Sequence, residues 1–154
     1  MVVVPTNHGQ DLFEHSCFDH GLHYDSVLHI PLIWWDPRGG AGQVDTLVQT
    51  VDIAPSILAR AEIPRASLDG ASLLPLMGLA EGDYLERDVY SVTNLHNASL
   101  RTVTTKLVLT QGARSASCAA NPAAPRAGAG GAGPQLGPPL GPPHYELYDL
   151  VADP

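Results

Sequence analysis

A chain of 154 residues, 44% hydrophobic and 16% charged, has the size and polarity of one ordinary globular domain, which excludes a wholly disordered or collagen-like polymer. Sixteen acidic against eight basic residues give a formal net charge of -8, and Lys106 is the single lysine, so no basic stripe exists to follow a phosphate backbone and nucleic acid is not an expected partner. The longest apolar runs, such as Ile30 to Trp35, fall far below the roughly 20 residues needed to cross a bilayer, and neither a membrane span nor a secretory signal is expected.

In chain order, Met1 to Val4 is a β-branched run that breaks at Pro5 into Thr6-Asn7-His8-Gly9. It predicts a buried strand that delivers polar residues to a loop at its C-terminal end, where open α/β sheets place their sites. Val27 to Trp35 predicts a second strand, buried on both faces and stopped by the turn residues Asp36 to Gly40. Asp52 precedes Ile53, Ile57, Leu58 and Ala61 at helical spacing, with Pro55 in the first turn; Asp52 is therefore expected to cap a helix and to be structural. Leu73 to Met77 is a short apolar stretch interrupted by Pro75, and Thr102 to Thr110 alternates as a strand does. Between Ser115 and Pro143, 21 of 29 residues are Ala, Gly or Pro, too little apolar side chain to offset ordering entropy, so this segment reads as a low-complexity insertion. Residues 1–114 and 144–154 are then one unit of α/β class, with Tyr145 to Leu150 as a returning C-terminal strand. Cys17 and Cys118 have no C-x-x-C spacing and indicate neither a disulfide framework nor zinc. Trp34 and Trp35 are expected to pack, and Asn97-Ala98-Ser99 has glycosylation spacing that also arises by chance.

The chemical signal lies in one loop. His8, His15, His20, His23 and His29 fall within 22 residues, interleaved with Asp11, Glu14, Asp19 and Asp25. Imidazoles beside carboxylates suit a divalent cation or general acid and base work, because both supply lone pairs and histidine titrates near neutrality. The spacing matches no closed zinc site, and H-E-x-x-H is absent.

The stretch Val2-Val3-Val4-Pro5-Thr6-Asn7-His8-Gly9-Gln10 resembles the strand and loop that sulfatases write as an apolar run followed by T-S-D-H-G-E. The similarity continues through Leu12 to His15 (L-G-E-H), Phe18 to Gly21 (F-D-K-G) and Tyr24 to Ile33 (Y-E-E-S-V-R-I-P-L-I). Asp52 to Leu58 resembles D-L-A-P-T-L-L, Leu68 to Leu76 contains the family's D-G-x-S-L-L-P-L pattern, and Thr105 to Leu107 with Tyr145 to Pro154 resembles its late K-L and Y-E-L-Y-D-L-x-x-D-P blocks. The order of the blocks is also the family's.

This resemblance implies an alkaline phosphatase-like α/β fold, of which the chain would be the C-terminal portion with a small antiparallel sheet. It implies hydrolysis of sulfate esters, small-molecule or carbohydrate, with a formylglycine nucleophile and one bound calcium ion. The family's modification sequence C/S-x-P-x-R is absent from the chain, so the nucleophile is not encoded in it and the chain alone is expected to be inactive. By position, the family's two calcium ligands in this loop carry over to Asn7 and His8, and Asn7 has lost the carboxylate charge. The family's sulfate-contacting lysine carries over to His20, an expected catalytic residue that is cationic only when protonated. Glu14 and His15 are expected to pack the loop. Alternatives are a phosphodiester or phosphonate monoester hydrolase of the same superfamily, or a noncatalytic metal-binding remnant, which Asn7, Gln10 and His20 favour.

Overall fold

The computed structural model describes residues 1–15, 18–64, 67–93, 97–110 and 143–152. Strand β1 (Val2–Pro5) pairs antiparallel with β4 (Leu32–Trp35), Val2 opposite Trp35 and Val4 opposite Ile33. Between them lie a short hairpin of β2 (Asp11–Leu12) and β3 (Phe18–Asp19) and a one-turn helix α1 (Asp25–Leu28).

Two expectations fail in this region. The strand expected over Val27 to Trp35 is divided: Val27 and Leu28 N–H both donate to the Tyr24 carbonyl, closing a helical turn, and only residues after Pro31 are extended. Proline lacks a donor and steers the residue before it away from helix, which separates the two conformations. The expected burial of Val2 to Val4 also fails. Val2, Val4, Ile33 and Trp35 are at least half exposed on one face of the ribbon, because a two-stranded ribbon with cover on one side can half-bury only Val3, Leu32 and Trp34.

A 3-10 turn (Thr50–Asp52) leads into helix α2 (Ile53–Arg60), whose last residue ties it to the end of β4. The Arg60 guanidinium is paired with the buried Asp36 carboxylate, and this hydrogen bond holds Asp36 down at about 2. A second 3-10 turn (Leu74–Met77) forms around Pro75 and lies beside α2, where the Leu73 N–H donates to Ser56 Oγ at 2.7 Å.

The remaining elements form a four-stranded antiparallel sheet in the order β5 (Val89–Thr93), β6 (Asn97–Arg101), β7 (Thr105–Thr110) and β8 (His144–Asp149). The expected C-terminal strand and its return to a small sheet are both present. The strand expected from Thr102 starts instead at Thr105, because Thr102 Oγ1 accepts from the Thr104 and Thr105 N–H groups and turns the chain between β6 and β7. Fold class is thus mixed helix and sheet with a small antiparallel sheet. The Ala/Gly/Pro segment, apart from Pro143, lies outside the described residues, as do Cys17, Cys118 and the Asp153-Pro154 pair.

One face of this sheet receives the loop before α1. Asn97 Nδ2 donates to the Gly21 carbonyl at 3.1 Å, Tyr24 OH donates to Glu146 at 2.8 Å, and Asp25 is paired with Lys106 and Arg101. Asn97 is therefore engaged within a paired strand. No helix among the described residues is long and apolar enough to cross a membrane.

Candidate active site

The loop after β1 presents Asn7 and His8, both exposed. Its path is pinned by Gly9, whose N–H donates to the Val27 carbonyl at 2.7 Å. A Cβ at Gly9 would overlap the carbonyl oxygen of Ser26, so the close approach of the loop to α1 requires glycine. Gly9→Ala should consequently destabilise the chain by about 1–3 kcal/mol, the usual range for overpacking. It should also broaden the His8 and Val27 amide signals in a two-dimensional NMR spectrum; an unchanged spectrum and urea midpoint would show that the loop is not held there.

His8 lies flat against His20, with ring centroids 4.4 Å apart and planes 12° from parallel. The hairpin of β2 and β3 makes this meeting possible by folding the chain back so that residue 20 returns to the end of β1. Because the Gly9 carbonyl can only accept, His8 Nδ1 is the N–H in its 2.8 Å hydrogen bond to that oxygen, and Nε2 of the neutral ring carries the lone pair. The three residues expected to form the site are thus close in space, with both imidazoles on the exposed surface.

Among the described residues the five clustered histidines do not act as one group. His15 belongs to a separate arrangement around Asp11, which is 1% exposed. Asp11 accepts from His15 Nδ1 at 2.6 Å, from the Phe13 and His15 N–H groups, and from Ser26 Oγ. Burial pushes the Asp11 carboxyl up, but the side-chain and backbone hydrogen bonds of His15 and its charge outweigh it and hold the group below its ordinary range. The His15 ring stacks on Tyr24 at 3.6 Å, so His15 packs the loop as expected, while Glu14 accepts from the Leu12 N–H. His23 is buried under the sheet, donating to or accepting from Thr93 Oγ1 at 2.6 Å, and His29 is exposed.

Beside His15, a cleft of about 250 Å³ is lined by Tyr24, Asp25, Ser26, Lys106, Tyr148 and Leu150. Its polar groups serve one another. Lys106 pairs with Asp25, and Tyr24 OH and Tyr148 OH both donate to Glu146. Burial raises Asp25, but Lys106 and Arg101 bring it below the carboxylate norm; Lys106 itself is pushed down by burial despite that partner. Asp11 stands in the sequence only as one of the carboxylates interleaved with the histidines, and nothing there marks Tyr24 or Lys106 as site-forming. The i,i+4 spacing of Asp11 and His15 was a local signal for the first, whereas the contact of Asp25 with Lys106 spans 81 positions and has no local signature.

Among the described residues no group of three or more His, Cys, Asp and Glu side chains could hold a metal ion. Asn7 and His8 alone offer one amide oxygen and one imidazole, while calcium takes 6–8 oxygen ligands. The in-plane lone pairs of two nearly parallel stacked rings also cannot converge on one cation. The donors among the described residues therefore do not fit calcium by themselves.

The chain is similar to known sulfatases. Human "Arylsulfatase K" is 36% identical over 98 residues, which cover 62% of this chain and 17% of that protein. The protein of the same name from Xenopus laevis is 38% identical over 79 residues, and "Uncharacterized sulfatase YidJ" of Escherichia coli K12 is 35% identical over 75, covering 49% and 47% of this chain and 15% of each relative. The chain spans about one sixth of the length of the curated relatives it matches. No family profile and no solved structure matches it.

Proposed function

Because the chain belongs to the sulfatase family, we propose that it carries the metal-loop and leaving-group side of a sulfuric ester hydrolase site, built on an alkaline phosphatase-like fold. The observation that supports this reading is the stack of His8 on His20, which joins two positions twelve residues apart that the family resemblance assigns to a single site. In this role His20 donates a hydrogen bond to the sulfate ester and gives a proton to the departing alcohol oxygen, and His8 orients it through ring contact. Asn7 and His8 take the positions of metal ligands, but their donor set is insufficient for calcium and no chemical step is assigned to a metal. The nucleophile that attacks sulfur is not supplied by this sequence, so sulfate esters are bound but not cleaved by the chain alone.

The same insufficiency favours a second reading, a noncatalytic remnant of such an enzyme: Asn7 replaces a carboxylate and His20 a permanent cation. Both readings predict no turnover of aryl sulfates by the 154-residue chain, and they separate in ligand binding. An aryl sulfate titrated into the chain at pH 6 should shift the imidazole NMR signals of His8 and His20 together, and the shift should vanish in His20→Ala. Shifts no larger than those caused by the parent phenol would support the remnant, and larger shifts with an aryl phosphate would favour phosphoryl chemistry. Turnover that survives purification and is lost in His8→Ala would overturn the assignment of an incomplete site.

A further inference from the structure

His8 and His20 approach each other from two arms of one loop, and each arm is fixed at the residue beside its histidine. Gly9, next to His8, donates its N–H to the Val27 carbonyl at 2.7 Å. Asp19, next to His20, is the strand partner of Asp11. Ser26, the neighbour of Val27 in α1, donates from Oγ to Asp11 Oδ2 at 3.4 Å. One turn of helix thus holds the first arm through Val27 and the second through Asp11. The chain leaves β2 at Phe13, whose φ of 82° lies in the left-handed region that a bulky L-residue adopts only under constraint. Asp11 supplies the constraint. Its Oδ1 accepts from the Phe13 N–H at 3.1 Å and from the His15 N–H at 3.3 Å, and its Oδ2 accepts from His15 Nδ1 at 2.6 Å. The residue is 1% exposed, so water does not compete for these bonds.

Taking His8 and His20 as one site, as proposed above, we propose that Asp11 is its positioning residue: by holding Phe13 left-handed and β2 against α1, the carboxylate sets His20 against His8. Asp11 acts through the loop and gives no proton to an ester. Its influence is nevertheless large in kind, because hydrogen bonds weaken steeply when misaligned and a displacement of about 1 Å can cost a reacting group about a hundredfold.

Nuclear Overhauser effects between the His8 and His20 ring protons, recorded on the full chain without ligand, report the contact directly. They should be present in the parent, lost in Asp11→Ala and retained in Asp11→Asn, whose amide oxygen can still accept from the Phe13 and His15 N–H groups. Asp11→Ala/Phe13→Gly should recover them although it also discards the contact of the Phe13 and Phe18 rings, because glycine takes a positive φ without constraint. A carboxylate that merely stabilised the fold would not be replaced by relief of one backbone angle. When phenyl sulfate is added at pH 6, the His20 shift should follow the same order: kept in the parent and Asp11→Asn, lost in Asp11→Ala and regained in the double variant. A contact absent from the parent, persisting in Asp11→Ala or not recovered by Phe13→Gly overturns the proposal. If Asp11→Ala fails to fold, Phe13→Ile on an exposed side chain decides: a β-branched residue resists the left-handed region, so the contact should be weaker than in Phe13→Gly, and equal contact in the two overturns the proposal. A parent that shows the ring contact but no shift with phenyl sulfate overturns the sulfate-ester reading alone and leaves the role of Asp11 to be judged by the contact.

Discussion

Asp52→Ala is expected to lower the stability of the chain by about 3 kcal/mol, near the lower end of the range for breaking a buried ion pair. Asp52 is fully buried and its carboxylate joins four segments. It accepts from the Gln49 N–H at 3.0 Å, the Ala71 N–H at 2.7 Å, Tyr84 OH at 2.9 Å and the Arg87 guanidinium. Alanine removes the acceptor of all four donors at once and leaves a guanidinium without its counter-charge. Arg87 is 31% exposed, so water screens part of that loss and the upper end of the range is not reached. Urea midpoints at one protein concentration measure the effect. Combining Asp52→Ala with Arg87→Met should recover part of the loss, because the stranded charge is then gone; a double variant as unstable as the sum of the single ones would show that the ion pair is not the main contribution.

Acidification is expected to weaken the chain in two steps, the first of which depends on His23. Its imidazole is buried among the sheet residues with Nδ1 unpartnered among the described residues, and burial followed by the Lys106 charge holds it below the ordinary range. Arg101 and Asp25 complete the charged group around Lys106. The folded chain therefore resists a proton that the unfolded chain accepts near pH 6.5. Stability from this group is fully present above about 6.5 and falls by up to about 1.4 kcal/mol per pH unit as pH drops from there toward the depressed folded value. The second step belongs to the carboxylates Asp11, Asp25, Asp36 and Glu146, all held low in the folded state, and begins only below about pH 4. Stability measured from pH 8 to 3 at fixed protein concentration should show both limbs, and His23→Gln should flatten the first while leaving the second. A first limb that persists in His23→Gln would assign the titration to another histidine.

Local features of the sequence sufficed where neighbours along the chain decide the outcome. The helix after Asp52 and the strands Thr105–Thr110 and His144–Asp149 follow from apolar spacing with proline in the first helical turn and from alternation. Asp52 was also legible as structural, though not in how it acts: its side chain caps no α2 N–H but closes the 3-10 turn and binds residues 71, 84 and 87. The candidate site was legible through its ordered family blocks, which pointed to Asn7, His8 and His20.

What the sequence alone determined was lineage and the absence of the C/S-x-P-x-R pattern from this chain, since these depend only on residue identity. Tertiary structure decided which of five neighbouring histidines share a surface, and it separated them: His8 with His20, His15 with Asp11, His23 under the sheet. It also decided which face of the β5 to β8 sheet is covered. Alternation in a strand shows that two faces differ, but the long-range pairing of Asp25 with Lys106 and of Tyr24 with Glu146 determines which of them is turned inward, leaving Tyr90, Tyr145 and Leu147 exposed.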